Sequence, residues 1–159
     1  MKIQSLRTPA ILLDMDALEK NIQTYQNACE ANSKQLWPMV KTHKSLEIAK
    51  MQADAGATGF LCGTLDECEA LCDAGYKSLM YAYPVASRES IDRVIALASK
   101  CDFIIRLDDL DGAEIVNATA IEAGVVISYT IIVDCGLHRF GMAPEKVVAF
   151  AMHLKKRVA

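Results

Sequence analysis

No Cys-x-x-Cys pair occurs in this chain of 159 residues, although it holds six cysteines. Without clustered Cys and His ligands there is no zinc site to read. Cys29, Cys62, Cys68, Cys72, Cys101 and Cys135 are scattered among apolar residues, which predicts reduced core thiols and a cytoplasmic setting. No apolar run reaches membrane-spanning length, and the N-terminus has no continuous apolar core of a secretion signal. There is no block of like charge, and the net charge is only −3, so neither nucleic acid nor an acidic membrane surface is expected as a partner. Linkers, low-complexity tracts and a convincing glycine-rich phosphate cradle are missing too.

What is present is an alternation. Apolar residues make up 52% of the chain, enough for a folded domain with a sizeable core. Ala10–Asp14, Gln35–Val40, Gly59–Gly63, Ser78–Tyr83, Asp102–Leu107 and part of Val125–Asp134 read as short apolar strands. Helical patterns separate them. One is opened by Asp16 with Glu19 in capping-box position, and carries Leu18, Ile22, Tyr25 and Cys29 on one face. The next is capped by Ser45 and buries Leu46, Ala49 and Ala53. Thr64 and Glu67 open a third, over Leu65, Ala70 and Leu71. Ser87 opens a fourth, a fifth runs from near Gly112 to Ala123, and Pro144 starts a sixth with Val147, Val148, Phe150 and Ala151 inside. Short connections and near-continuous apolar strands predict βαβ units with a parallel sheet. The fold class is α/β, a partial (β/α)8 TIM-type barrel with about five of eight barrel strands. A complete barrel takes about 250 residues.

Such barrels work at the carboxyl ends of their strands. Those ends carry Lys41-Thr42-His43, Cys62-Gly63-Thr64, Tyr83-Pro84, Asp108-Asp109 and Asp134 through Arg139. Lys41 ends a buried run, Trp37-Pro38-Met39-Val40. A lysine there either pairs with a carboxylate or stays poorly solvated and attacks an aldehyde. The second course is the start of pyridoxal phosphate chemistry. Lys44 reads as surface charge, and Asp108 and Asp109 as helix caps. Asp134 either holds the turn at Gly136 or orients Arg139. His43 and His138 are open between acid/base groups and hydrogen-bonded rim histidines. Tyr83 either packs or points its hydroxyl at a ligand. Met39, Met51, Met80 and Met142 read as core packing.

Three segments carry a family resemblance, in order and at about the family's spacing. Thr8-Pro9-Ala10-Ile11-Leu12-Leu13-Asp14 is similar to the opening of pyridoxal phosphate enzymes of the alanine-racemase barrel type. Pro38-Met39-Val40-Lys41-Thr42-His43-Lys44 resembles the cofactor-lysine segment of the D-threonine aldolase and D-serine dehydratase branch. Val133-Asp134-Cys135-Gly136-Leu137-His138-Arg139-Phe140-Gly141 resembles a third segment of that branch. By this resemblance Lys41 forms the Schiff base and is the catalytic residue. Arg139 lies beside the cofactor's phenolic oxygen, with Tyr83 and His138 as further cofactor contacts on the same rim. The resemblance also implies that residues 1–159 are the N-terminal part of the barrel domain. The phosphate cradle, a β-rich domain and the ligands of a divalent metal would then lie later, so no metal residue is assigned here. The implied activity is that of a lyase on D-β-hydroxy-α-amino acids, with a small amino acid as partner and a homodimer possible. The alternatives are an amino-acid racemase of the same barrel, or a non-catalytic pyridoxal phosphate homeostasis protein.

Overall fold

The computed structural model describes residues 3–85 and 87–157. Helix α1 spans Met15–Ala31, α2 Leu46–Asp54, α3 Leu65–Asp73, α4 Arg88–Ala98, α5 Leu110–Ala123 and α6 Pro144–Arg157. Strands β1 (Phe60–Cys62), β2 (Ser78–Pro84), β3 (Asp102–Leu107) and β4 (Ser128–Ile131) alternate with the last four of them. All four strands are parallel and lie in chain order in one sheet. This is the expected α/β alternation of a partial barrel.

Local chemistry sets the helix starts. Asp14, Ser45, Thr64, Ser87 and Asp109 each place a side-chain oxygen on the amide three residues on, satisfying a donor the helix cannot. Helix α5 ends at Gly124, whose φ of +65° suits a residue without Cβ. Along the strands every second residue turns toward the helices. Phe60, Cys62, Leu79, Phe103, Ile105 and Leu107 are buried there against Cys68, Leu71, Val94, Leu97 and Val116. Strand register puts Met39, Leu61, Met80, Ile104 and Ser128 in one row on the opposite face, so Met39 and Met80 pack away from the helices. Met142 is buried in the main core.

Several expectations need correction. Ala10–Asp14 is not a strand. No neighbour pairs with it among the described residues, Ile11, Leu12 and Leu13 are exposed, and Asp14 is the cap of α1 in place of Asp16. Gln35–Val40 is not a regular strand either. Pro38 has no amide to give to a ladder, and only an isolated bridge joins Met39 to Leu61, with the Leu61 amide donating to the Pro38 carbonyl at 2.9 Å. Four regular strands and this strand-like segment therefore stand where five strands were expected. Pro84 ends β2 as its last residue and pairs in register with Arg106. Tyr25, Leu46, Ala70 and Val148 lie on exposed faces of their helices rather than inside.

Candidate active site

After the strand-like segment the chain turns at once. Val40–Thr42 forms a 3-10 turn, closed by the His43 amide on the Val40 carbonyl at 3.2 Å, and the Lys44 amide donates to the same carbonyl at 2.8 Å. Lys41 therefore leaves from a turn and not from a strand end. Its stem lies over Gly63, just past β1. A Cβ at Gly63 would stand 2.8 Å from Lys41 Cβ and 3.1 Å from its Cδ, so only glycine leaves that path open. Lys41 Nζ then donates to Tyr83 Oη at 3.2 Å.

Tyr83 is the penultimate residue of β2. Its ring meets Phe140 edge-on, with centroids 5.5 Å apart. Arg139 lays its guanidinium 5.6 Å from the Tyr83 ring and 4.4 Å from that of Phe140, within cation–π range. The Lys41 hydrogen bond and the charges of Lys41 and Arg139 hold the Tyr83 phenol below its usual range. Two cations, a polarised phenol and two aromatic faces thus share one rim of the sheet.

The loop that brings Arg139 is pinned at both ends. Asp134 N–H donates to Met142 O at 2.8 Å and Met142 N–H to Ile132 O at 3.0 Å. Asp134 Oδ1 accepts the amides of Gly136 and His138 at 2.9 and 3.0 Å, and Oδ2 meets His138 Nδ1 at 2.7 Å. Those amide bonds, and then the His138 ring, pull the Asp134 carboxyl down to about 2. Asp134 thus holds the Gly136 turn, where φ is +111°. Asp108 Oδ2 accepts the Gly141 amide at 2.9 Å, which corrects the reading of Asp108 as a helix cap; Asp109 is the cap.

Lys41, Tyr83 and Arg139 come together. His138 does not join them: its side chain is 83% exposed and its ring is engaged by Asp134. His43 turns away as well. Its Nδ1 accepts the Ser45 amide at 3.1 Å, and its ring lines a hollow with Leu18, Ile22, Pro38 and Gln52. Burial holds its pKa below the usual imidazole value. Lys44 is not free surface charge but an ion-pair partner of buried Glu67. Phe140 and Glu67 were missed as site residues, and Gly63 was placed at a strand end on the rim without a role. A glycine directly before a helix cap was the available signal for Gly63.

All six cysteines are unbridged; Cys62, Cys68 and Cys72 are buried, and the Cys68 thiol is pushed up by its bond to Cys62 and by burial. No group of three His, Cys, Asp or Glu side chains among the described residues is arranged for a metal. No helix among them is long and apolar enough to cross a membrane.

A parallel α/β barrel segment with a lysine presented at its rim is the class that fold and site define. The family model for the N-terminal domain of alanine racemase matches residues 13–158, and the chain belongs to that family. The family is pyridoxal phosphate dependent. D-threo-3-hydroxyaspartate dehydratase of Delftia sp. is 31% identical over 141 residues, covering 89% of this chain and 37% of the relative. For 3-hydroxy-D-aspartate aldolase of Paracoccus denitrificans the identity is 28%, over 93% of this chain and 39% of the relative. The crystal structure of D-threonine aldolase from Filomicrobium marinum superposes with a TM-score of 0.90 at 27% identity, over 96% of this chain and 41% of that one. Alanine racemase from E. faecalis shares the fold, with a TM-score of 0.75 at 22% identity. The chain spans about two fifths of the length of the relatives named here.

Pyridoxal phosphate can be tested against this geometry. An exposed lysine amine, a space kept open by Gly63 and a permanent cation beside a polarised phenol suit the aldehyde and phenolic oxygen of the cofactor. No partner for its phosphate is assigned among the described residues.

Proposed function

We propose that this chain carries the cofactor-lysine part of a pyridoxal phosphate lyase acting on D-β-hydroxy-α-amino acids. The observation that carries the reading is the meeting of Lys41, Tyr83 and Arg139 at one rim of the parallel sheet. Its support from outside the chain is that the relatives above include a dehydratase and aldolases of such amino acids. Residues 1–159 then represent the N-terminal part of the barrel domain.

Bound pyridoxal phosphate supplies the electron sink for the pair left on the substrate Cα. Lys41 Nζ would hold the cofactor through its aldehyde, and as a free amine it would be the base at hand to take or return a proton at the substrate Cα or β-hydroxyl. Tyr83 Oη fixes where that nitrogen sits and can exchange a proton with it. Arg139 would set its planar guanidinium beside the cofactor's phenolic oxygen and favour the negative form of that oxygen. Loss of the β-hydroxyl proton with cleavage of Cα–Cβ yields an aldehyde and glycine. Loss of the Cα proton and of the β-hydroxyl as water leaves an enamine, whose imine tautomer takes up a water to give a 2-oxo acid and ammonia. The described residues form no metal site, and no step is assigned to a metal.

The test is product analysis of a protein that carries this segment within a complete barrel, given pyridoxal phosphate and D-threonine or D-threo-3-hydroxyaspartate. Aldehyde with glycine, or 2-oxo acid with ammonia, is the expected result. Interconversion of D- and L-alanine with neither product would make the protein a racemase and overturn the reading.

A further inference from the structure

Thr64-Leu65-Asp66-Glu67 has capping-box spacing, in which the glutamate returns to the amide of the cap residue. Here only half of that box forms. Thr64 Oγ1 accepts the Glu67 amide at 3.2 Å, but Glu67 Oε2 accepts the amide of Gly63 at 2.7 Å. Its Oε1 accepts from the ammonium of Lys44. The Glu67 side chain is only 8% exposed, whereas that of Lys44 is 60% exposed. A buried carboxylate needs such partners to remain charged. Lys44 itself sits at φ +50°, a conformation unfavourable for a residue with a Cβ and kept by what holds it.

The two groups that Glu67 grips both adjoin the Lys41 segment. Gly63 follows β1, and Lys44 follows the turn that carries Lys41. The Lys41 stem runs directly over Gly63. We propose that Glu67 is a positioning residue for Lys41: by clamping Gly63 to Lys44 it sets the path of the lysine stem and hence the place of Nζ against Tyr83. This rests on the reading of Lys41 as the cofactor lysine. Glu67 reaches neither Nζ nor Tyr83 by a direct bond, so it acts through the two backbone segments. It also gives Lys44 a purpose that surface charge does not.

The test is borohydride trapping of pyridoxal phosphate on the 159-residue chain, read by peptide mapping as label on Lys41 relative to exposed Lys20. Wild type should label Lys41 in clear excess. Misplacing a reacting group by an ångström costs up to about a hundredfold in rate, so Glu67→Ala should lower the ratio by at least about tenfold. Lys44→Met, which removes one arm of the clamp at an exposed side chain, should lower it several-fold. Lys50→Met, which removes an exposed lysine paired with Asp54, should leave it unchanged. Circular dichroism of each variant accompanies the mapping. A ratio near one in wild type would refute the cofactor-lysine reading itself. A high wild-type ratio that persists in a folded Glu67→Ala or in Lys44→Met would overturn the positioning role alone, as would a fall in Lys44→Met matched by equal loss of helical signal. Should Glu67→Ala not fold, Lys44→Met decides.

Discussion

Lys41 and Tyr83 share a proton-bearing contact across 42 residues of sequence, and its electrostatics can be read in solution. The ammonium favours phenolate, so Tyr83 ionises more readily than an ordinary tyrosine. Lys41→Met should therefore raise the midpoint of Tyr83 ionisation, seen as the ultraviolet titration that Tyr83→Phe deletes. An unchanged midpoint would mean that the contact is not held in solution. Sequence alone showed the amine, the phenol and the guanidinium, but not which of them meet. Tyr83 sits on one strand end and Arg139 on a loop, and the backbone bonds of Asp134, Asp108 and Met142 bring that loop back. His138, next to Arg139 in the motif, was open between an acid/base group and a hydrogen-bonded rim histidine. The four-residue step to Asp134 was the visible reason that its ring is occupied elsewhere.

Among the elements, helix starts were the most readable feature. The cap is a local contact of a short oxygen with an amide three residues on, and needs no tertiary context. Ser45→Ala and Asp109→Ala should each lower stability by about 1 kcal/mol in urea unfolding, because each removes the side-chain oxygen that caps its helix. Losses below a few tenths of a kcal/mol would show that other contacts hold these helix ends. Strands were less readable at the N-terminal side. Ala10–Asp14 and Gln35–Val40 have strand composition, yet a strand exists only where a neighbour accepts its amides. Pro38 withholds one, and no partner stands beside Ile11 among the described residues. Glu67 shows the same limit in a helix: its spacing named a capping box, but its carboxylate holds the Gly63 amide just before the cap and Lys44 from elsewhere in the fold.

For the whole molecule, the alternation of apolar strands and capped helices was enough to predict the α/β class, because each element buries one face against the next. The pH dependence of stability is also a property of the whole chain. Burial keeps the His43 pKa below 6.5 in the folded state, so below about pH 6.5 the unfolded chain binds more protons. The stability His43 contributes is intact above that pH and is lost as pH falls toward its lower native value. His43→Gln should flatten this part of the curve of urea midpoint against pH, and an identical slope would mean that His43 titrates alike in both states. The function proposed for the molecule turns on one amine. Absorbance spectra of the chain titrated with pyridoxal phosphate, wild type beside Lys41→Ala, measure it. Saturable bound-cofactor absorbance in wild type that is lost in a folded Lys41→Ala is the predicted result. Equal absorbance in the two proteins would contradict the assignment of Lys41.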